Sequence, residues 1–193
     1  MISLTLNLNS SLTLDDQQFE TICHNNKNLN FERNQRGELI IMSPTRSDIG
    51  GKNWSIAGQL WAWNNQYKLG IGFDSSTGFK LPNGAIRSPD VSWIKKENWE
   101  NLTIEEKRKF APICPDFVIE LLSINDNWDE GKNKMEEYID NGVKLGWLID
   151  PNQNQVAIYR PKKEVEILKN PQTLSGENIL PKFSLDLADI FID

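Results

Sequence analysis

Apolar positions recur with two different periods along this chain, and the changes of period mark its elements. Residues 31–34 and 38–42 flank Gln35-Arg36-Gly37, which predicts a hairpin with glycine at its turn. Ser43-Pro44-Thr45 breaks the chain. Ile49, Ile56, Leu60 and Trp63 then keep a helical spacing, so one long helix is expected to end near Tyr67. Further upstream, Thr13 followed by Asp16 resembles a capping box that opens a helix running to Cys23. Short strands punctuated by glycine and proline are expected at 71–74, 78–81 and 91–94. The charged stretch 98–110 reads as helical in part.

The clearest strand is 116–123, D-F-V-I-E-L-L-S. A helix over 127–141 follows it, stopped by Gly142, and then an apolar strand over 144–149. Strand, helix, strand is a βαβ unit, so part of the sheet is expected to be parallel. Further strands are expected at 155–159 and 165–168, closed by a C-terminal tail. The run 143–149 is expected near the end of the sheet. With no repeat and no linker, the pattern predicts one α/β domain over residues 1–193.

Composition narrows the class. At 193 residues the chain can bury roughly 70% of its unfolded surface. With 38% hydrophobic and 25% charged residues it is neither a disordered nor a membrane sequence. No run reaches the ~18 apolar residues of a membrane span. Residues 1–10 carry no basic start and no long apolar stretch, so no secretory signal is expected. Cys23 and Cys114 show no metal or redox spacing, and seven tryptophans can build a core without a disulfide. A cytoplasmic setting follows. The net charge of −6 argues against tight, non-specific nucleic-acid binding, which neutralises phosphates with Lys and Arg. It leaves room for a nuclease, because a bound divalent cation changes the local field. The one histidine, His24, reads as a surface residue, and a Ser-His-Asp triad is not expected.

Glu120 is the residue that breaks the pattern. Phe117, Val118, Ile119, Leu121 and Leu122 are apolar on both faces of its strand, as in a strand covered on both sides. A carboxylate there costs several kcal/mol unless it is paired or bound to a metal. A buried salt bridge is one reading; metal binding or proton transfer is the other. Asp90 follows Ser88-Pro89 at the start of a strand, where an Asp is often only a turn residue. With Glu120 it makes a pair, and Mg²⁺ takes one or two protein carboxylates. Lys134 borders the apolar stripe of Trp128, Met135, Tyr138 and Ile139 on the next helix. Its stem could reach over the sheet, although periodicity alone favours a solvated lysine, with Lys132 and Asn133 nearby.

Pro89-Asp90 followed thirty residues later by Glu120 on an apolar strand resembles the PD-(D/E)XK nuclease superfamily. Its putative restriction endonuclease branch, the Uma family, is the nearer likeness. The resemblance spans about residues 37–159. It includes Gly37-Glu38-Leu39, Met42-Ser43-Pro44, Ser76-Thr77-Gly78-Phe79, Ser88-Pro89-Asp90-Val91-Ser92 and Val118-Ile119-Glu120-Leu121. It continues through Lys134-Met135, Tyr138, Gly142-Val143 and Gly146-Trp147-Leu148-Ile149-Asp150-Pro151.

This resemblance implies a restriction-endonuclease-like core, a mixed β-sheet flanked by helices. Asp90 and Glu120 would bind Mg²⁺ or Mn²⁺. Lys134 would replace the usual E-x-K lysine, whose place is taken here by Leu122. Ile124 departs from a commoner proline. Glu38 matches an early acidic position and would complete the metal shell, or else is an exposed hairpin carboxylate. The activity implied is metal-dependent hydrolysis of nucleic-acid phosphodiester bonds, DNA above all, by an endonuclease that pairs as a homodimer. In that role Lys134 is expected to be removable at little cost in stability. The alternative is a non-catalytic nucleic-acid or protein-interaction module on the same fold. Lys95-Lys96, Lys107-Arg108-Lys109 and Lys162-Lys163 read as ordinary solvated faces.

Overall fold

The structure, a computed structural model, describes residues 3–6 and 13–191, so most of the 1–10 stretch read above lies outside it. The first helix, α1 (Asp16–Asn25), opens two residues from the expected cap. The Asp15 carboxylate accepts from the Gln18 amide, and the Gln18 side chain accepts from the Asp15 amide. That satisfies two orphan donors of the first turn. Thr13 instead packs where a Cβ on Gly37 would stand. His24 is exposed in the last turn.

Two sheets follow. The smaller one combines β1 (Ser3–Leu6), β2 (Asn30–Arg33), β3 (Leu39–Met42), β5 (Phe79–Lys80) and β6 (Ile86–Arg87) in the order β1-β3-β2-β6-β5. All its pairs are antiparallel, and β2–β3 is the hairpin that Gly37 turns at φ 80°. The larger sheet holds β4 (Gly70–Asp74), β7 (Val91–Lys95), β8 (Phe117–Leu121), β9 (Leu145–Asp150), β10 (Gln155–Tyr159) and β11 (Glu166–Lys169). Its order is β11-β10-β9-β8-β7-β4, with only β8 and β9 parallel. The mixed sheet is therefore as expected, but β9 is interior rather than near an end. Its six residues are all buried, and β8 and β10 take both its edges.

Alternation along β8 splits the core. Phe117, Ile119 and Leu121 join the layer built with α2 (Ser47–Tyr67), whose Ile49, Ile56, Leu60 and Trp63 face the sheet. Val118 and Leu122 face the other layer with α5 (Trp128–Asn141), through Met135 and Tyr138. Asn127 caps α5 and Gly142 ends it at φ 119°. The charged stretch forms two short helices, α3 (Lys96–Glu100) and α4 (Ile104–Lys107). The C-terminal tail is not peripheral. Its hairpin β12 (Thr173–Ser175) and β13 (Ser184–Asp186) brings Leu174, Leu180, Phe183, Leu185, Leu187 and Ile190 into the α2 layer.

Helix α5 lies unusually close to β9. A Cβ on Gly146 would stand 2.4 Å from Met135 Cε, and one on Gly131 would stand 3.0 Å from Leu148 Cδ1. No helix among the described residues is long and apolar enough to cross a membrane.

Candidate active site

The register of β7 on β8 pairs Val91 with Ile119 and Ser92 with Val118. Run one residue further, it sets Asp90 opposite Glu120, and directly opposed residues share a face. Both side chains line a cleft of about 490 Å³ between the two sheets and α5. Asp90 is fixed at its strand start by the Leu121 amide, which donates to Oδ2 at 2.8 Å, while Asn53 Nδ2 of α2 reaches Oδ1 at 3.4 Å. Glu120 Oε1 accepts from Tyr138 Oη at 2.9 Å and lies 2.9 Å from Lys134 Nζ. Lys134 and Tyr138 are four residues apart on α5, which places both on the helix face turned to the strand.

Lys134 is therefore neither solvated nor merely bordering the core. Its ammonium also lies 3.0 Å from Glu32 Oε1 of β2, a carboxylate from the other sheet. Glu32 is buried and further held by Arg87 Nη1 at 3.0 Å and the Ser88 amide at 2.9 Å. Arg87 reaches on to Glu137 of α5 at 2.6 Å. A chain of alternating charge thus runs from Glu137 through Arg87, Glu32 and Lys134 to Glu120.

The two carboxylates that flank Lys134 differ in balance. Burial pushes Glu32 up, but the charges of Lys134 and Arg87 outweigh it and hold the carboxyl below its ordinary range. Burial pushes Glu120 up to about 7; Lys134 opposes the rise, and the charges of Asp90 and Glu32 add to it. Burial also raises Asp90, against the pull of the Leu121 amide and Lys134. Lys134 loses hydration, yet the charges of Glu120 and Glu32 raise its pKa and keep it an ammonium.

Asp90, Glu120 and Lys134, three residues singled out in the sequence, thus meet in one cleft. Glu38 does not join them: it stays at the hairpin, where Arg36 Nη2 lies 3.0 Å away and Asn34 also donates to it. The acidic position facing the cleft from the smaller sheet is Glu32. Sequence reasoning missed it, because Glu32 stands in the polar run Glu32-Arg33-Asn34 and lacks the apolar flanks that exposed Glu120. Asn53, Arg87 and Tyr138 were missed as site residues because nothing local sets them apart.

No group of three or more His, Cys, Asp or Glu side chains arranged to hold a metal occurs among the described residues. A cation here would rest on two carboxylates and water, which suits Mg²⁺. The donor chemistry fits. Two raised carboxylates stand on opposed positions, and Asn53 Oδ1 beside them is buried with no hydrogen-bond partner among the described residues.

The mixed sheet with flanking helices places the chain in the restriction-endonuclease-like class. A solved structure described as a putative nuclease belonging to DUF820, from Anabaena variabilis, superposes with a TM-score of 0.70. It is 21% identical, over 83% of this chain and 89% of that one, a likeness of fold. Residues 16–188 match the Uma2 family, described as "Putative restriction endonuclease", and the chain belongs to that family. No curated protein matches it.

Proposed function

We infer that the chain is a Mg²⁺-dependent endonuclease of the cytoplasm that hydrolyses phosphodiester bonds of DNA, with Asp90, Glu120 and Lys134 as its catalytic residues. The observation that carries this reading is the charge deficit of the cleft. Six acidic side chains line it against three basic ones, and Asp90 and Glu120, opposed across β7 and β8, are the two whose carboxyls burial raises on balance. A phosphate cannot approach such a surface unless a cation comes first.

Asp90 and Glu120 would hold the cation, with Asn53 Oδ1 at hand for a bound water. When bound, a divalent ion supplies Lewis acidity towards the phosphate and activates a water as nucleophile. Lys134 does not act as a base, because its two glutamates keep it protonated. It orients Glu120 and offsets negative charge that builds on the phosphate in the transition state. Glu32 and Arg87 position Lys134. Tyr138 holds Glu120 Oε1 and so leaves the carboxylate one orientation. The cytoplasm, where thiols stay reduced, suits the free Cys23 and Cys114. Pairing of two copies belongs to the same reading, away from the enclosed strand β9.

Titration calorimetry with Mn²⁺ tests the site. One ion should bind per chain, and Asp90→Ala should abolish the heat together with Mg²⁺-dependent cleavage of plasmid DNA. Absence of heat from the unaltered protein would overturn the metal site and favour a non-catalytic interaction module.

A further inference from the structure

Helix α2 turns one face to the sheet, and no described residue covers the opposite face. Trp54 on that face is 81% exposed and Trp61 68% exposed, although tryptophan is usually well buried. They belong to an exposed stripe, Ser47, Gly51, Trp54, Gly58, Trp61 and Asn65. Its steps alternate between four and three residues, the spacing of a helix–helix seam.

The glycines of this stripe have no reason inside the chain. A Cβ on Gly51 or Gly58 would meet nothing within 4 Å, and neither sits in the left-handed region. Glycine is nonetheless among the poorest residues for a helix interior. Large exposed side chains thus alternate with gaps that no neighbour among the described residues fills.

We propose that this face of α2 is where a second copy of the chain docks, as an antiparallel two-fold helix pair. The stripe reads the same in both directions. A dyad at the level of Ile56 sets Trp54 against the partner's Gly58 and Trp61 against the partner's Gly51. Ser47 then meets the partner's Asn65, a hydrogen-bonding pair. Every tryptophan finds a glycine. A parallel pair would set tryptophan against tryptophan and glycine against glycine, leaving clashes beside voids.

Charge and area agree with a second copy. Among the exposed residues of α2, Asp48 is the only charged one, and Arg46 lies 4.0 Å from it. A two-fold brings a face against itself, so a face without like charges can close. Nucleic acid would need cations along this face, and its six stripe positions carry none, Arg46 and Lys68 lying only at its two ends. The two tryptophans expose roughly 300 Å² per copy, taking about 200 Å² for a whole side chain. With the surface they cover, two copies bury on the order of 1,200 Å², the lower range of stable interfaces.

The pairing sharpens the assembly in the reading above, and its test does not depend on cleavage. Light scattering and sedimentation of the full chain should give twice the 22.2 kDa chain mass. Gly58→Gln fills an open position with a better helix former, so the monomer should melt no lower than the parent. Its dimer should nevertheless dissociate about 100-fold more readily, as when a central contact of an interface is lost. Trp54→Gln should do the same, while Asp90→Ala should stay dimeric whether or not it cleaves DNA. A monomer mass for the unaltered chain at high concentration overturns the proposal, and so does a Gly58→Gln dimer as tight as the parent. Quenching of Trp54 by a DNA oligonucleotide in a monomeric protein overturns it in favour of a base-stacking platform.

Discussion

Glu32 and Glu120 are both buried, both touch Lys134 and lie in one cleft, yet their carboxyls are displaced in opposite directions. Glu32 has a second cation, Arg87, and a backbone amide. Glu120 has a tyrosine hydroxyl and two other acids for neighbours. Burial alone therefore does not mark a functional carboxylate; the balance of charge around it does. The Glu32 half is a salt-bridge network that holds the smaller sheet and α5 together. The Glu120 half is left open by one cation.

The largest expected break in this contrast is Lys134→Ala. The lysine ties both halves and is largely buried, so the expectation of an unchanged melting temperature does not hold. Removing one partner of a buried pair costs about 3–5 kcal/mol, which urea unfolding above pH 7 should show. A cost under about 0.5 kcal/mol, the scale of a surface change, would erase the distinction between the halves.

Next comes the pH dependence of the metal-free protein. The folded chain keeps the Glu120 proton up to about pH 7, whereas the unfolded chain loses it near 4.5. The folded state then binds more protons between these values, so stability falls as pH rises through that window, by up to about 3 kcal/mol. Glu120→Gln should flatten this fall, and saturating Mn²⁺ should reduce it. Glu32 has the opposite sign: its contribution is present above 4.5 and is lost as pH drops through its lowered value. Unfolding of Glu32→Gln and Glu120→Gln across pH should alter opposite arms of the profile. Identical profiles would contradict the contrast.

A smaller effect belongs to Tyr138→Phe, which removes one donor from Glu120 Oε1. The loss should be about 1–2 kcal/mol where Glu120 is ionised and less where it is protonated. Smallest is Lys132→Ala, whose exposed ammonium pairs only with Asp129 on the same helix. Its loss should leave the urea midpoint unmoved, with cleavage retained.

How much of this was legible in sequence follows the range of each cause. Elements set by local periodicity and caps, such as α2, β8 and α5, lie within a few residues of expectation. Glu120 was legible because a charge in an apolar run is a local anomaly, and Asp90 because Pro89 marks a strand start and Glu120 gives it a partner. Lys134 needed the family resemblance, since its helix position alone suggested solvent. Glu32, Arg87 and Asn53 act only through partners far away in the chain, across contacts that no window of sequence contains. The part the closing tail plays in the core was not legible for a similar reason. Leu174, Leu180, Phe183, Leu185, Leu187 and Ile190 follow no single period, because a hairpin and loops deliver them separately to one core layer.

Gly131 and Gly146 set the spacing at which Lys134 meets Glu120, yet neither carries a side chain into the cleft. Their missing methyl groups let α5 settle onto β9. Alanine at Gly146 would meet the flexible end of Met135, which can swing aside; a branched residue would lift the helix and draw the ammonium off its carboxylate. The tolerance of the chemistry is thus fixed by a hidden clearance between the helix and β9. A mutational survey scored by cleavage would flag Gly146 beside Asp90 and Glu120. Reading that map as a list of groups that touch DNA would then place the substrate in the wrong part of the molecule.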